Sequence, residues 1–317
     1  MDDSHVFAGI DVSKNHLDVS ARPQKTHFSV ANDFKGVQSL LRRFEKIRPQ
    51  LVVLEASGGY ELLVVAALAQ AGWPVAMVNP RQIRQFAQAT GQMAKTDKLD
   101  AQVLAHFAEA VRPQPRPLPE PELQELRALV RRRWQLLASV RQEQNRLDTT
   151  INPKVRLDMQ RHLKWLNADL TRLERDIRDF IRKTPLWRER DRLLQSVPGV
   201  GPLTSFTIIS HIPELGTLEG KQLAALVGVA PFSRDSGQFR GQRKIRGGRG
   251  KVRRQLYMAA LTAVQHNPPL RVFYQRLLQA GKKKKLALTA AIRKLLLILN
   301  AMVKNQTPWN PNLLHSA

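Results

Sequence analysis

Cysteine is absent from this chain of 317 residues. That gap removes disulfides, thiolate zinc sites and cysteine nucleophiles together, so any metal has to be held by oxygen or imidazole. Acids are scarce beside bases: 26 Asp and Glu stand against 51 Lys and Arg, for a net charge of +25 and a pI near 11.2. Such a surface suits a polyanion better than a small neutral metabolite. Nucleic acid leads, and an anionic membrane or a ribosomal-type structural role are other uses of the same charge. Long apolar runs are lacking as well. Stretches such as 62–69 are too short to span a bilayer, and the opening Met1-Asp2-Asp3-Ser4-His5 has no basic region ahead of an apolar one. The expectation is a cytoplasmic, nucleoid-associated protein. There is no P-loop. What is present, 43% hydrophobic residues, suffices for a packed globule rather than a basic tail, and the length allows two or more domains.

Residues 6–12, 17–21 and 27–30 read as three short strands, 35–46 as a helix, 51–54 as a buried strand, 60–70 as a helix and 75–78 as a strand ending at Asn79-Pro80. A meander followed by strands separated by helices predicts a mixed α/β sheet with helices packed on it. Proline at alternate positions from Pro113 to Pro121 forbids helix and predicts a stiff linker. Beyond it Leu123, Leu126, Val130, Leu137, Val140, Leu147 and Ile151 form a heptad-like stripe interrupted by Arg133 and Gln144. After Asn152-Pro153 the stripe restarts at Met159, Leu163, Leu166, Leu170, Leu173, Ile177 and Phe180. This predicts an antiparallel coiled-coil hairpin, serving either as a spacer or as an oligomerisation device. The rest is read as mostly helical, with a basic run at 282–285 and an amphipathic to buried helix over 286–303. The predicted division is 1–111, a linker at 112–122, a hairpin at 123–184 and a C-terminal domain at 185–317.

Four carboxylates occupy suggestive places. Asp11 closes the first strand, Glu55 closes the strand at 51–54 ahead of Ser57-Gly58-Gly59, and Asp97 and Asp100 lie at i and i+3 on one helix face. Gathered in a small volume they call for a hard cation, and Mg²⁺ takes oxygen ligands of this type. Two such ions suit phosphoryl transfer. Each acid also has a plainer use: Asp97 as a helix cap, Asp100 as a favourable first-turn charge, Asp11 as a turn former. Glu61 competes with Glu55, but its expected place is the exposed face of the helix that follows.

Further along, Ser196-Val197-Pro198-Gly199-Val200-Gly201 resembles a helix-hairpin-helix turn, where Gly199 and Gly201 would present backbone N–H groups to a phosphate, or else is a structural turn between core helices. From Ser233 to Arg254 there are nine Lys or Arg and one acid, Asp235. Arg234, Arg240, Arg243, Lys244, Arg246, Arg249, Lys251, Arg253 and Arg254 are the candidate phosphate contacts in what reads as a glycine-rich loop. Within it Ser236-Gly237 is by itself an ordinary turn pair, and Ser233 lacks the following glycine.

The series Gly9-Ile10-Asp11-Val12-Ser13-Lys14, Leu54-Glu55-Ala56-Ser57-Gly58 and Thr96-Asp97-Lys98-Leu99-Asp100-Ala101 resembles the RuvC-type RNase H-like domain of the DEDD insertion-sequence transposases. That family includes the Piv-type DNA invertases and the bridge-RNA-guided recombinases, and the likeness runs from about residue 6 to residue 306. It implies that Asp11, Glu55, Asp97 and Asp100 are the catalytic, Mg²⁺-binding tetrad. Ser236 matches the family's serine nucleophile, which meets the tetrad in a composite site that protomers can share. It further implies a structured guide RNA, DNA at the element ends and target, and a homo-oligomer. The implied function is cleavage and rejoining of DNA strands. The alternatives are a Holliday-junction-type nuclease that activates water, and a non-catalytic architectural protein.

Overall fold

In the computed structural model the described residues are 5–94, 96–115, 120–233, 235–236, 239–241 and 243–311. They form two compact units, Met1–Pro119 and Glu120–Ala317. Residues 116–119 of the expected linker lie outside the described residues.

The first unit runs β1 (Phe7–Val12), β2 (His16–Arg22), β3 (Thr26–Ala31), α1 (Phe34–Ile47), β4 (Leu51–Glu55), α2 (Leu62–Gln70), β5 (Val75–Val78), α3 (Pro80–Ala89) and α4 (Asp97–Val111). Its sheet has the order β3-β2-β1-β4-β5. The first three strands are an antiparallel meander, and β4 and β5 join in parallel, with Ile10 opposite Leu54. This is the mixed α/β sheet covered by helices that the strand and helix pattern predicts. The central strands read as nearly continuous hydrophobic runs because both of their faces are covered. Side chains alternate across them. Ala8, Ile10, Val12, Val52 and Leu54 share one core with Val37, Leu40 and Phe44 of α1 and Val65 and Leu68 of α2. Phe7, Leu51 and Val53 point the other way, into a core with Ile83 of α3 and Leu104, Phe107 and Ala108 of α4. By the same alternation Gly9, Asp11 and Glu55 belong to the face that α4 covers.

The second unit begins with the helix pair α5 (Pro121–Thr149) and α6 (Pro153–Lys183). It continues through α7 (Pro185–Gln195), α8 (Pro202–His211), α9 (Gly220–Val227), β6 (Pro231–Phe232), β7 (Asp235–Ser236), β8 (Phe239–Arg240), β9 (Lys244–Ile245), α10 (Gly250–His266), α11 (Pro268–Gln279) and α12 (Lys284–Asn305). The pairing of α5 and α6 is antiparallel: Arg133 meets Glu174 at 2.7 Å, and Glu143 meets His162 at 2.9 Å. Leu163, Leu166, Leu173 and Ile177 of the expected stripe are buried. Two details differ. Leu136 is buried on α5 in place of Leu137, which is only partly covered. Ile151 is 92% exposed, because Asn152 caps α6 and leaves it in the turn between the helices.

The same start signal recurs: Asn79, Asn152 and Asn267 each accept a backbone N–H in the first turn of a helix whose first residue is proline. Helix α12 is long and apolar enough to cross a membrane. Here it is a core helix, with Leu295, Leu296 and Leu299 fully buried in the core that also holds Leu126, Ile177, Phe206 and Leu256.

Candidate metal centre and basic segment

Asp11 sits near the end of β1 and Glu55 ends β4, one step beyond the pairing of Ile10 with Leu54, so the two carboxylates leave neighbouring parallel strands on one face. Helix α4 brings the other two. It runs antiparallel to β1: its first turn carries Asp97 and Asp100, and at its far end Arg112 lies over the Phe7 ring at 5.3 Å. Arg22 of β2 holds the same end through Glu109 at 2.6 Å.

The approach of α4 to β1 depends on Gly9. A Cβ there would be closest to the Ala105 backbone nitrogen, 2.5 Å from the Ala101 carbonyl oxygen and 2.6 Å from the Leu104 carbonyl carbon. Only hydrogen fits. Ala101 and Ala105 present small side chains to the seam and are fully buried. The helix cap is Thr96, whose hydroxyl accepts the Leu99 N–H at 3.3 Å. Asp97 is therefore not the cap, and its carboxylate is free of that duty.

One oxygen from each of Asp11, Asp97 and Asp100 lies within 4.8 Å of the others. Glu55 is close enough to raise the Asp11 pKa, and together with Asp100 it lines an adjoining cleft. Burial first, then the charges of Asp100, Glu55, Asp97 and Asp18, push the Asp11 carboxyl up to about 6. An all-oxygen donor set under this much mutual repulsion fits a hard divalent cation.

Glu61 departs from expectation. It stands just before α2 rather than on an exposed helical face, and it is 6% exposed. Its carboxylate accepts from the Ser57 N–H at 3.2 Å, the Ser57 hydroxyl at 2.9 Å and the Gly59 N–H at 2.8 Å. Burial alone would raise its pKa, but these hydrogen bonds win and hold it below the usual carboxylate value. Glu61 thus folds the turn that follows Glu55. Asn32 adds a second tie, donating to the carbonyls of Ser13 at 2.9 Å and Tyr60 at 3.1 Å. The signal for Glu61 was there: a carboxylate two to four residues after Ser57 and Gly59 can close on their N–H groups.

In the second unit Gly199 has φ +101 and packs against α10, where a Cβ would meet Ala263 at 2.6 Å. Packing alone demands glycine there. Gly201 precedes α8 with open space around it. The basic segment is more ordered than the expected loop. It holds two short antiparallel ladders, β6 with β9 and β7 with β8, and the second pairs Ser236 with Phe239. Ser236 is exposed. Arg234 lies outside the described residues, and Arg240 is on β8.

The other cations divide into two groups. Among the described residues Arg243, Lys244, Arg246 and Arg254 show no hydrogen bond or ion pair that would occupy them, and all four are exposed. Lys251 is exposed and lies 4.7 Å over the Trp134 ring. Arg249 is engaged inside the protein, gripping Glu214 in a two-point pair at 2.7 and 2.6 Å and donating to the His211 carbonyl at 2.6 Å. Arg253 donates to the carbonyls of Val227, Gly228 and Gly247, the last at 2.7 Å. These two arginines anchor the end of the segment to α8 and α9.

Comparison with known proteins follows the same division. Residues 8–153 match the DEDD transposase model of the IS110 type, and residues 191–275 match the model described as transposase IS116/IS110/IS902 family. A pilin gene-inverting protein of Moraxella bovis is 27% identical over 321 residues, covering 97% of this chain and 98% of that protein. Its counterpart in Moraxella lacunata shows the same identity and coverage. An insertion element IS116 protein of Streptomyces clavuligerus is 29% identical over 161 residues, 50% of this chain and 39% of that protein. Among solved structures, that of Thermus thermophilus RuvC aligns with a TM-score of 0.27 and 19% identity, over 35% of this chain and 99% of that one. The chain belongs to the IS110/IS116 family of DEDD transposases. Membership makes it a DNA-strand-cleaving enzyme of the transposase and invertase class, with DNA as its substrate.

Proposed function

We propose that this enzyme cuts and rejoins DNA through Ser236. The serine oxygen attacks a phosphodiester, a bond forms between that oxygen and phosphorus, and the bond to the leaving sugar oxygen breaks. The serine gives up its hydroxyl proton as the departing oxygen takes one, and the strand is later passed to a new hydroxyl acceptor, which loses its proton as the released serine regains one. Bond energy is conserved, so no nucleotide cofactor is consumed. Asp11, Glu55, Asp97 and Asp100 would hold Mg²⁺. A bound Mg²⁺ supplies charge neutralisation at the scissile phosphate. The chain's own part is to fix four carboxylates on one face of a sheet and to present an exposed hydroxyl among arginines. Arg243, Lys244 and Arg246 place cationic charge along the DNA or RNA backbone.

The observation that carries this reading is the convergence of Asp11, Asp97 and Asp100 to within 4.8 Å in a chain of this family. The net charge of +25 supports a second polyanion, a structured guide RNA that selects the DNA site by base pairing. The helix pair α5 and α6, with Ile151, Val155 and Leu157 exposed near its tip, supports assembly into a homo-oligomer. The setting is the cytoplasm, at the nucleoid. The test is incubation of the full chain with Mg²⁺, RNA transcribed beside its reading frame and element-end DNA, followed by mass spectrometry of any protein–DNA adduct. An adduct at Ser236, lost in Ser236→Ala, is expected. Free ends released by Ser236→Ala would assign the cut to water.

A further inference from the structure

Next to the acid cluster, within the first unit, a cleft of about 450 Å³ opens between α3 and the start of α4. Glu55 and Asp100 form part of its wall, so the cleft is continuous with the carboxylates. Its floor is apolar, made by Ile83 and Val103, both buried but each with an edge open to the cleft. Its sides carry two guanidinium groups, Arg81 and Arg84, and two amides, Gln88 and Gln92. Met93, at the edge, is 80% exposed.

These features together select one kind of occupant. A bare phosphate needs the arginines but not the apolar floor. An apolar peptide needs the floor but not the arginines. A nucleotide uses both: a flat ring for the floor, hydrogen-bonding edges for the amides, and a phosphate for the guanidiniums. The volume lies within the roughly 300–1,000 Å³ of pockets that enclose a small ligand. A base paired in a duplex is stacked and cannot enter, so the nucleotide has to leave the stack, as it does wherever an enzyme encloses a single base. An exposed methionine beside the opening is the kind of side chain that wedges between base steps.

We propose that this cleft receives one unstacked nucleotide of the DNA strand being cut, the neighbour of the scissile phosphate. Its ring lies on Ile83 and Val103, its edge meets Gln88 and Gln92, its phosphate meets Arg81 and Arg84, and Met93 fills the gap it leaves. The proposal rests on the reading of the acid cluster as the strand-cleaving site.

The test uses the full chain with its flanking RNA and element-end duplexes that carry 2-aminopurine at successive positions around the cut. In metal-free buffer the wild type brightens the probe several-fold at one position only. Ala87→Trp, which fills the cleft from its wall, abolishes that rise. Met93→Ala lowers it about twofold. With Mg²⁺, Ala87→Trp cuts the intact strand about 100-fold more slowly, and an abasic site at the bright position restores cutting, because no ring then needs housing. That rescue separates a blocked cleft from a misfolded variant. No bright position, an Ala87→Trp protein that cuts and brightens like wild type, or an abasic strand that fails to rescue would each overturn the cleft assignment while wild-type cleavage stands. A wild-type protein that cuts no DNA under these conditions would instead end the strand-cleaving reading on which the assignment rests.

Discussion

Replacing Gly9 by alanine is the smallest change that tests how the acid cluster is assembled. The added methyl carbon would lie 2.5 Å from the Ala101 carbonyl oxygen and 2.6 Å from the Leu104 carbonyl carbon, with the Ala105 nitrogen nearer still. Ordinary carbon contacts begin near 3.5 Å, so α4 has to withdraw from β1 by about 1 Å. Forcing that gap into a packed seam costs about 2–3 kcal/mol. For a unit of this size the melting temperature falls by roughly 8–15 °C. The loss in chemistry is greater. Asp97 and Asp100 ride on α4 while Asp11 stays on β1, so the three oxygens now within 4.8 Å move apart. A misplacement of about 1 Å at a reacting centre lowers the rate by about 100-fold. The obstruction is backbone, so trimming the partner side chain in a Gly9→Ala/Ala105→Gly protein does not restore the site. Differential scanning calorimetry, Mg²⁺ titration by isothermal calorimetry and strand cleavage, all on the full chain, read the three effects. A Gly9→Ala protein with wild-type melting, metal response and cleavage would refute the claim that this contact sets the cluster.

Asp11→Asn removes a carboxylate whose pKa the cluster pushes up to about 6. A raised carboxyl pKa means stability present below about pH 4 and lost as pH rises through about 6, so without metal the first unit is less stable at pH 7.5 than at pH 5. The asparagine variant loses that pH dependence in thermal melts, fails to gain stability from Mg²⁺ and does not cut. Glu61→Gln weakens three hydrogen bonds to the Ser57–Gly59 turn, lowering stability by about 1–2 kcal/mol and slowing cleavage, as urea titration and single-turnover rates will register. Arg249→Ala removes the two-point pair with Glu214 and the hydrogen bond to the His211 carbonyl, and costs about 2–4 kcal/mol in the second unit, read by chemical denaturation. Lys244→Ala and Arg246→Ala leave melting unchanged, and each lowers the salt slope of DNA binding by about 1 in filter-binding assays. His211 is pushed down to about 4, by burial first and then by Arg127, Arg249, Arg131 and Lys251. Its folded pKa lies below the unfolded value of 6.5, so stability is lost as pH falls from about 6.5 to 4, by about 3 kcal/mol in all. His211→Phe flattens that part of the urea-midpoint profile, and an unchanged profile would count against the burial of a neutral ring.

The strands of the first unit were legible because each is a short apolar run bounded by turn residues, and the mixed sheet followed from a meander that precedes helix-separated strands. The four acids were legible through their positions at strand ends and at a helix start. Their convergence was not, because it depends on Gly9 admitting a helix whose contacts with β1 are remote in sequence. Helix α3 went unread, since Asn79-Pro80 looks like the end of a strand. The same pair also caps and starts a helix, and Ile83, Phe86 and Ala87 mark its apolar face. Glu61 was misplaced because an acid early in an apolar helix resembles a surface charge until the N–H groups of the preceding turn are seen to close on it. In the second unit the heptad stripe gave the buried face of α6 almost residue by residue. The short ladders around Ser236 left no periodic signal, since strands of two residues are too brief to show one.

Between the two long helices of the second unit, Arg133 is buried and joined to Glu174. Sliding one helix along the other by a turn would strand that guanidinium in an apolar seam, at a cost of several kcal/mol. The hairpin therefore has one permitted alignment and behaves as a strut. At about 1.5 Å per residue, the 29 residues of α5 extend roughly 43 Å. Whatever docks at the far end is held at a constant remove from the base of that strut.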